Sequence, residues 1–299
     1  MRLTAFLQDM QNKLTGSKLY EIEKRLADYK GDDRMVSSHE LAEQLKNTED
    51  SVFKIPTGIA TLDRLLEGGV EAGELFIISG PTDEGKSTIA MSITRNMAIA
   101  EIKTAWFTLE ITPRQFIKKI GSKGVLPLFY LPNEAYEAGE DTLNWIQDRI
   151  MEARAKYGMK VVFIDHLHQI FSLARTSRTM NVSWELGDLV GRLKNMAIQL
   201  NIIIFLIAHT KDDPEGSSRE PRKEDLRDSG LICRLADEIL MIWKVPNDEE
   251  NLGSARRKPL SEDDVKAKVR LLKNRRVGKY GSWFMFHENY HLTDPSISF

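Results

Sequence analysis

Apolar residues follow two patterns along this chain. Short runs rich in Ile, Val, Leu and Phe occupy 75–79, 104–109, 160–165, 202–208 and 238–243. Each is too short for a buried helix and reads as a buried strand. Between them, apolar residues return at helical spacing. That alternation predicts an α/β fold with a largely parallel central sheet and helices on both faces. Two more strands, 267–273 and 283–287, are separated by a short turn, Val277-Gly278-Lys279-Tyr280-Gly281, and so pair as an antiparallel hairpin. From Val245 to Asp264 the chain is polar and without period, which reads as a surface loop.

The first 52 residues have a thinner pattern. Leu3, Phe6, Leu7, Met10 and Leu14 form one helical stripe, and Leu19, Ile22, Leu26 and Tyr29 form another. Ser37 with Glu40 has the spacing of a capping box before a third short helix. These faces carry too little apolar surface to fold alone. The expected organisation is a helical arm or linker over 1–52 and one main domain over 53–299. The arm is either a decoration of the main domain or a contact to a neighbouring subunit. Ile55-Pro56-Thr57-Gly58, a short helix from Ile59 to Leu66 and the Gly68-Gly69 turn lead into the first main strand.

Composition narrows the class. The 299 residues are 41% hydrophobic and 29% charged, which suits a globular protein with a sizeable core. A net charge of −2 excludes a polycation, so any nucleic-acid contact has to come from local basic patches. The single cysteine, Cys233, excludes an internal disulfide and suits a reducing cytosol. It sits in an apolar-patterned helix and reads as a small core residue. No apolar run approaches the roughly 20 residues of a membrane span. Arg2, Asp9 and Lys13 rule out a signal peptide. The expectation is an intracellular protein with no membrane contact.

The chemistry centres on Gly80-Pro81-Thr82-Asp83-Glu84-Gly85-Lys86-Ser87-Thr88. This is a complete G-x-x-x-x-G-K-[ST] phosphate loop, preceded by a strand and followed by a helix over about 87–100. Gly80 and Gly85 let the backbone curl tightly and approach phosphate, and the helix start aims several N–H groups at one place. Lys86 is placed to reach the β- and γ-phosphates of ATP or another NTP, and Ser87 to ligate Mg²⁺.

Three further strand ends carry candidates. Asp165 closes an apolar strand and fits the second nucleotide motif, whose aspartate holds Mg²⁺. Glu110 follows another strand and is placed to deprotonate the attacking water. With Thr112 and Pro113 following, it also fits a helix-start carboxylate. His209 ends a third strand, where an imidazole can sense the γ-phosphate. His166 and His168 flank Asp165 without the partners a zinc site needs.

With Asp225-Leu226-Arg227-Asp228-Ser229-Gly230 and Lys273-Asn274-Arg275, these elements occur in a fixed order from Ile55 to His291. In that order the chain resembles the RecA-like motor domain of hexameric replicative DNA helicases. This is the DnaB-like superfamily, with the helicase half of phage primase-helicases and the mitochondrial Twinkle helicase among its members. The resemblance implies a RecA-like P-loop NTPase that moves on single-stranded DNA and unwinds duplex in replication. It implies a homo-oligomer, a hexameric ring, with primase, loader or polymerase as possible partners and a phage- or plasmid-encoded origin in a bacterial cytoplasm. It casts Arg275, helped by Lys273, as an arginine finger reaching the adjacent subunit's nucleotide. It casts Lys211, Arg219, Arg222, Lys223, Arg227, Ser229 and Gly230 as one DNA-gripping loop, and Arg175 and Arg178 as part of a second. Lys244 and Phe286 match the pair that sandwiches the adenine base. Lys244 stands where an arginine is usual. A RecA/RadA-like recombinase or annealing ATPase shares the P-loop and strand plan, as does a KaiC-like regulatory ATPase. The D-L-R-x-S-G and K-x-R elements favour the helicase.

Overall fold

Every apolar run expected to be a strand is one, and an aromatic row fixes how four of them line up. The structure, a computed structural model, describes residues 24, 27, 31, 34–47, 53–121, 125–134, 142–167, 170, 182–210, 222, 225, 229–246, 265–288 and 291–294. It divides into two units, 1–52 and 53–299. In the first, helix α1 spans Ser38–Asn47. The Glu40 N–H donates to Ser37 Oγ at 3.1 Å, the cap that the Ser-x-x-Glu spacing predicts. The Leu3 and Leu19 stripes lie outside the described residues.

The second unit begins with β1 (Lys54–Ile55), α2 (Ala60–Leu65) and β2 (Val70–Glu71). Next come β3 (Leu75–Gly80), α3 (Lys86–Ile99), β4 (Thr104–Thr108), α4 (Pro113–Gly121), α5 (Thr142–Tyr157) and β5 (Val161–Asp165). α6 (Val182–Gln199), β6 (Ile203–His209), α7 (Ser229–Leu235) and β7 (Glu238–Pro246) follow. β8 (Val265–Asn274), β9 (Gly281–Glu288) and β10 (His291–Thr293) end it. The main sheet is eight-stranded in the order β10-β9-β8-β7-β3-β6-β5-β4. From β7 to β4 neighbours run parallel; β8, β9 and β10 are added antiparallel. The expected hairpin is β8–β9. Sequence reasoning did not find β10 or the small β1–β2 pair. The expected loop over 245–264 lies largely outside the described residues.

Alternation along the strands divides the core. Leu75 and Ile77 face one apolar cluster with residues of α5, α6 and α7, while Phe76 and Ile78 face another with residues of α2, α3 and α4. On the second face, Trp106, Phe163, Phe205 and Phe76 form a row across β4, β5, β6 and β3. Successive ring centroids are 4.9, 4.7 and 4.9 Å apart. A one-residue slip would move each ring to the opposite face, so this row holds the register. It therefore also sets which strand-end residues stand side by side. Cys233 is half-buried against the first cluster. No described helix is long and apolar enough to cross a membrane.

Candidate functional site

The carboxyl ends of β3, β6, β5 and β4 form one edge, and ligands of open α/β sheets bind at such an edge. Gly80 ends β3 and pairs with His209, the last residue of β6. Asp165 ends β5 and pairs with Thr108 of β4, and the Leu109 N–H donates to Asp165 O at 2.9 Å. Glu110 comes next. Thr112 and Gln115 then cap α4 reciprocally: the Thr112 N–H donates to Gln115 Oε1 at 2.9 Å and the Gln115 N–H to Thr112 Oγ1 at 3.3 Å. Glu110 is thus held in the short link between a strand end and a capped helix.

The two loop glycines answer different demands. Gly85 caps α3 with φ 101° and ψ 14°, a left-handed conformation that glycine takes without strain. A Cβ at Gly80 would lie 2.1 Å from the Ile242 carbonyl oxygen of β7. Lys86 is buried, and its Nζ donates to Pro81 O at 2.6 Å. Burial pushes its ammonium below the usual value, against the pull of Asp165, Asp83, Glu84 and Glu110. The Lys244 N–H donates to Glu84, which ties the loop to β7.

Ser87 Oγ donates to Asp165 Oδ2 at 2.9 Å. Burial pushes the Asp165 carboxyl up, and the Ser87 hydrogen bond opposes that. Glu110 Oε2 stands 3.6 Å from His166 Nδ1, and the His166 ring meets His209 edge-on with centroids 4.5 Å apart. Ligand atoms of Glu110, Asp165 and His166 lie within 4.8 Å of one another. Two oxygens as close as Ser87 Oγ and Asp165 Oδ2, beside a phosphate loop, suit a hard cation such as Mg²⁺.

A cavity of about 530 Å³ joins these groups. Thr82, Asp83, Gly85, Lys86, Ser87, Thr88, Glu110, Asp165, His209 and Lys244 line it. Gly80, Pro81 and Glu84 shape the loop without lining the cavity. Arg95 and Lys119 also line it, and strand-end reasoning missed both. They project from helices, and helical spacing reveals them. Thr88, Met91 and Arg95 share one face of α3, and Phe116, Lys119 and Ile120 share one face of α4.

Three expected residues lie elsewhere. Phe286 does not line the cavity. Met285 and Ile242 belong to the α3 face of the sheet, so alternation puts Lys244 on that face and Phe286 on the other. Phe286 pairs with Lys266 of β8, which lies between β9 and β7, so the expected base sandwich is not assembled within this chain. Lys273 and Arg275 lie at the opposite, amino edge of the parallel strands. There Asn274 pairs with Glu238, and Glu238 with Phe76. The length of β3 separates them from Gly80, roughly 16 Å at about 3.3 Å per residue. Lys273 Nζ donates to the carbonyls of Cys233 and Ala236 at 2.6 and 2.5 Å. Arg275 Nη2 donates to Arg234 O at 2.8 Å, and its Nη1 lies 3.4 Å from Asp237 Oδ1. Both side chains therefore grip the end of α7.

Of the expected DNA-contacting residues, Arg175, Arg178, Lys211, Arg219, Lys223 and Arg227 lie outside the described residues. Arg222 is exposed, and its N–H donates to Asp225 Oδ2 at 2.6 Å. Ser229 and Gly230 open α7.

Sequence and structure comparisons place the fold that carries this site. The chain is 25% identical over 228 residues to the replicative DNA helicase DnaB of Leifsonia xyli subsp. xyli (strain CTCB07), covering 68% of this chain and 49% of the relative. It is 25% identical over 238 residues to the replicative DNA helicase DnaC of Bacillus subtilis (strain 168), covering 71% and 52%. The chain thus spans about half the length of the curated relatives it matches. Its fold matches a solved DnaB-like replicative helicase, described with its interactions with primase. That match has a TM-score of 0.65 at 17% identity and covers 98% of this chain and 74% of that one. These relatives favour the helicase over the recombinase reading. The model of the DnaB-like helicase C-terminal domain matches residues 54–125 and 135–292, well over half of the sequence, and the chain belongs to that family.

Proposed function

We propose that this chain is the ATP-hydrolysing motor of a replicative DNA helicase that works as a ring on single-stranded DNA. One observation carries the reading. The phosphate loop, Ser87, Asp165 and Glu110 meet at one edge of the sheet, whereas Lys273 and Arg275 lie at the other, a strand length away. The half-sites complete one another only between subunits, each offering its amino edge to the next one's carboxyl edge.

In this reading the loop N–H groups and Lys86 bind the β- and γ-phosphates. Ser87 and Asp165 hold Mg²⁺, which neutralises charge on the phosphates. Glu110 takes the proton of the attacking water. His209, level with Gly80, senses the γ-phosphate at the head of the loop that runs to α7. The neighbour's Arg275 stabilises transition-state charge. Lys211, Arg219, Arg222 and Lys223, with Arg175 and Arg178, grip the DNA backbone without reading bases. A hexamer, and primase, loader or polymerase as partners, belong to the same proposal, as does a cytoplasmic site of action.

Electron microscopy with a non-hydrolysable ATP analogue and single-stranded DNA tests it. Closed rings, with unwinding of a forked duplex on ATP addition, are expected. Filaments would favour a recombinase and overturn the reading. Reversing the charges of Arg222 and Lys223 should weaken single-strand binding and lower its salt slope by roughly 0.7 per lost phosphate contact. An unchanged slope would remove this loop from the DNA interface.

A further inference from the structure

We infer that Arg276 is a positioning residue that holds the β8–β9 turn so that Arg275 points at the neighbouring subunit's nucleotide. The inference rests on the proposed reading of Arg275 as a finger acting in trans.

Two adjacent arginines occupy this turn, and their surroundings differ. The Arg275 side chain is 55% exposed and that of Arg276 19%. Arg276 turns inward onto four acceptors. Its Nε lies 2.8 Å from Glu74 Oε1 and 3.2 Å from Glu71 Oε2. Its Nη2 donates to Leu66 O at 3.1 Å and to Gly69 O at 2.8 Å. One side chain thus fastens the turn to the end of α2, the glycine turn and β2. Glu74 is itself fixed, accepting the Glu71 N–H at 2.6 Å.

Asn274 braces the turn from the other side. Its Nδ2 donates to Leu65 O at 3.0 Å and Lys279 O at 3.2 Å, and its Oδ1 accepts the Val277 N–H at 3.0 Å. The Arg275 N–H donates to Asp237 O at 2.9 Å. The backbone of residue 275 is therefore fixed, and its guanidinium, just over half exposed, rests on Arg234 O and Asp237 Oδ1, contacts it has to exchange for the neighbour's phosphate. A finger needs both the fixed backbone and the exposure. Its charge must arrive on a backbone that is already ordered, because ordering a loose turn at each encounter would offset part of the stabilisation it supplies. A planar fork with five donors suits Arg276 to two carboxylates and two carbonyls, and a lysine cannot match it.

A double-mutant cycle on the whole chain with single-stranded DNA tests this. The variants are Arg276→Gln, Arg275→Ala and the two together, read by ATPase rate, nucleotide affinity and thermal midpoint. Arg276→Gln is expected to lower kcat about 10–100-fold, the scale of a misplacement near 1 Å, with nucleotide affinity unchanged. In the Arg275→Ala background it should cost nothing more. Mixing Arg276→Gln with Lys86→Ala subunits should restore activity where an intact turn meets an intact P-loop. A folded Arg276→Gln with normal kcat, or losses that multiply in the double variant, overturns the inference. Normal turnover of Arg275→Ala alone is a separate result that removes the finger reading itself, and this inference with it. If Arg276→Gln unfolds at the assay temperature, Arg276→Lys enters the same cycle. A loss of kcat that vanishes without Arg275 then supports the inference, and no loss overturns it.

Discussion

The two edges of this sheet differ in how they are built. At the carboxyl edge, the phosphate loop is one continuous stretch; Asp165 and His209 each end a strand of the same parallel set, and Glu110 follows another just past its end. The aromatic row through Trp106, Phe163, Phe205 and Phe76 keeps those ends level. At the amino edge, Lys273, Arg275 and Arg276 come from the end of β8 and the turn after it, but their partners are scattered through α2, β2 and α7. The first edge binds through backbone geometry that a motif encodes. The second aims through long-range contacts that no local motif encodes. A motor needs both. In the proposed ring, nucleotide is held within one subunit and its hydrolysis is gated by another.

Lys86→Ala breaks the comparison most completely, because it removes the buried ammonium of the loop. Loss of measurable ATP binding by calorimetry is expected, and unchanged affinity would discard the carboxyl-edge site. Arg275→Ala separates the edges. Binding at its own P-loop should persist while hydrolysis falls by about 10³–10⁵, or roughly 4–7 kcal/mol of transition-state stabilisation. Mixing with Lys86→Ala subunits should restore part of the rate. No restoration would place Arg275 in the service of its own subunit. Glu110→Gln should keep nucleotide affinity and slow turnover by about 10²–10⁴, as for a lost general base. Near-normal single-turnover rates would move the base elsewhere in the cavity.

Legibility in the sequence followed the same division. Strands 75–79 and 160–165 were readable because buried parallel strands are continuous apolar runs, and the P-loop because its spacing is fixed. β10 and the β1–β2 pair were not, since two- and three-residue strands carry no period of their own. The distance between Arg275 and the P-loop depends on β8 running antiparallel to β7, a pairing that the structure supplies. Arg276 carries no signal in the sequence. Its four acceptors lie some two hundred positions upstream, and nothing local announces them. Phe286 was placed by resemblance. The alternation of β9 around Met285 sends it to the wrong face for a partner of Lys244. Arg95 and Lys119 were legible as helix faces, but only once the cavity between α3 and α4 was known.

The smallest expected effect sharpens the contrast at the amino edge. Glu238 begins β7 and is fully buried, and neither of its carboxyl oxygens has a hydrogen-bond partner among the described residues. Burial, followed by the charges of Glu74 and Asp237, raises its pKa from an ordinary 4.5 to about 9; Arg276 and Lys194 pull the other way. The folded protein therefore keeps a proton that the unfolded chain gives up near 4.5. The resulting stability is fully present below that value and is lost as pH rises toward about 9. One fully coupled proton changes stability by at most about 1.4 kcal/mol per pH unit. Urea unfolding of the parent chain across neutral to alkaline pH should show stability falling, and Glu238→Gln should flatten that fall. Its ATP affinity should be unchanged, because Glu238 pairs with Phe76 at the start of β3, a strand length from the phosphate loop. Parallel pH profiles for the two proteins would mean that Glu238 ionises in place. In that case Arg276 would face three ionised carboxylates, Glu71, Glu74 and Glu238, across the whole range, and its hold on the turn would not vary with pH.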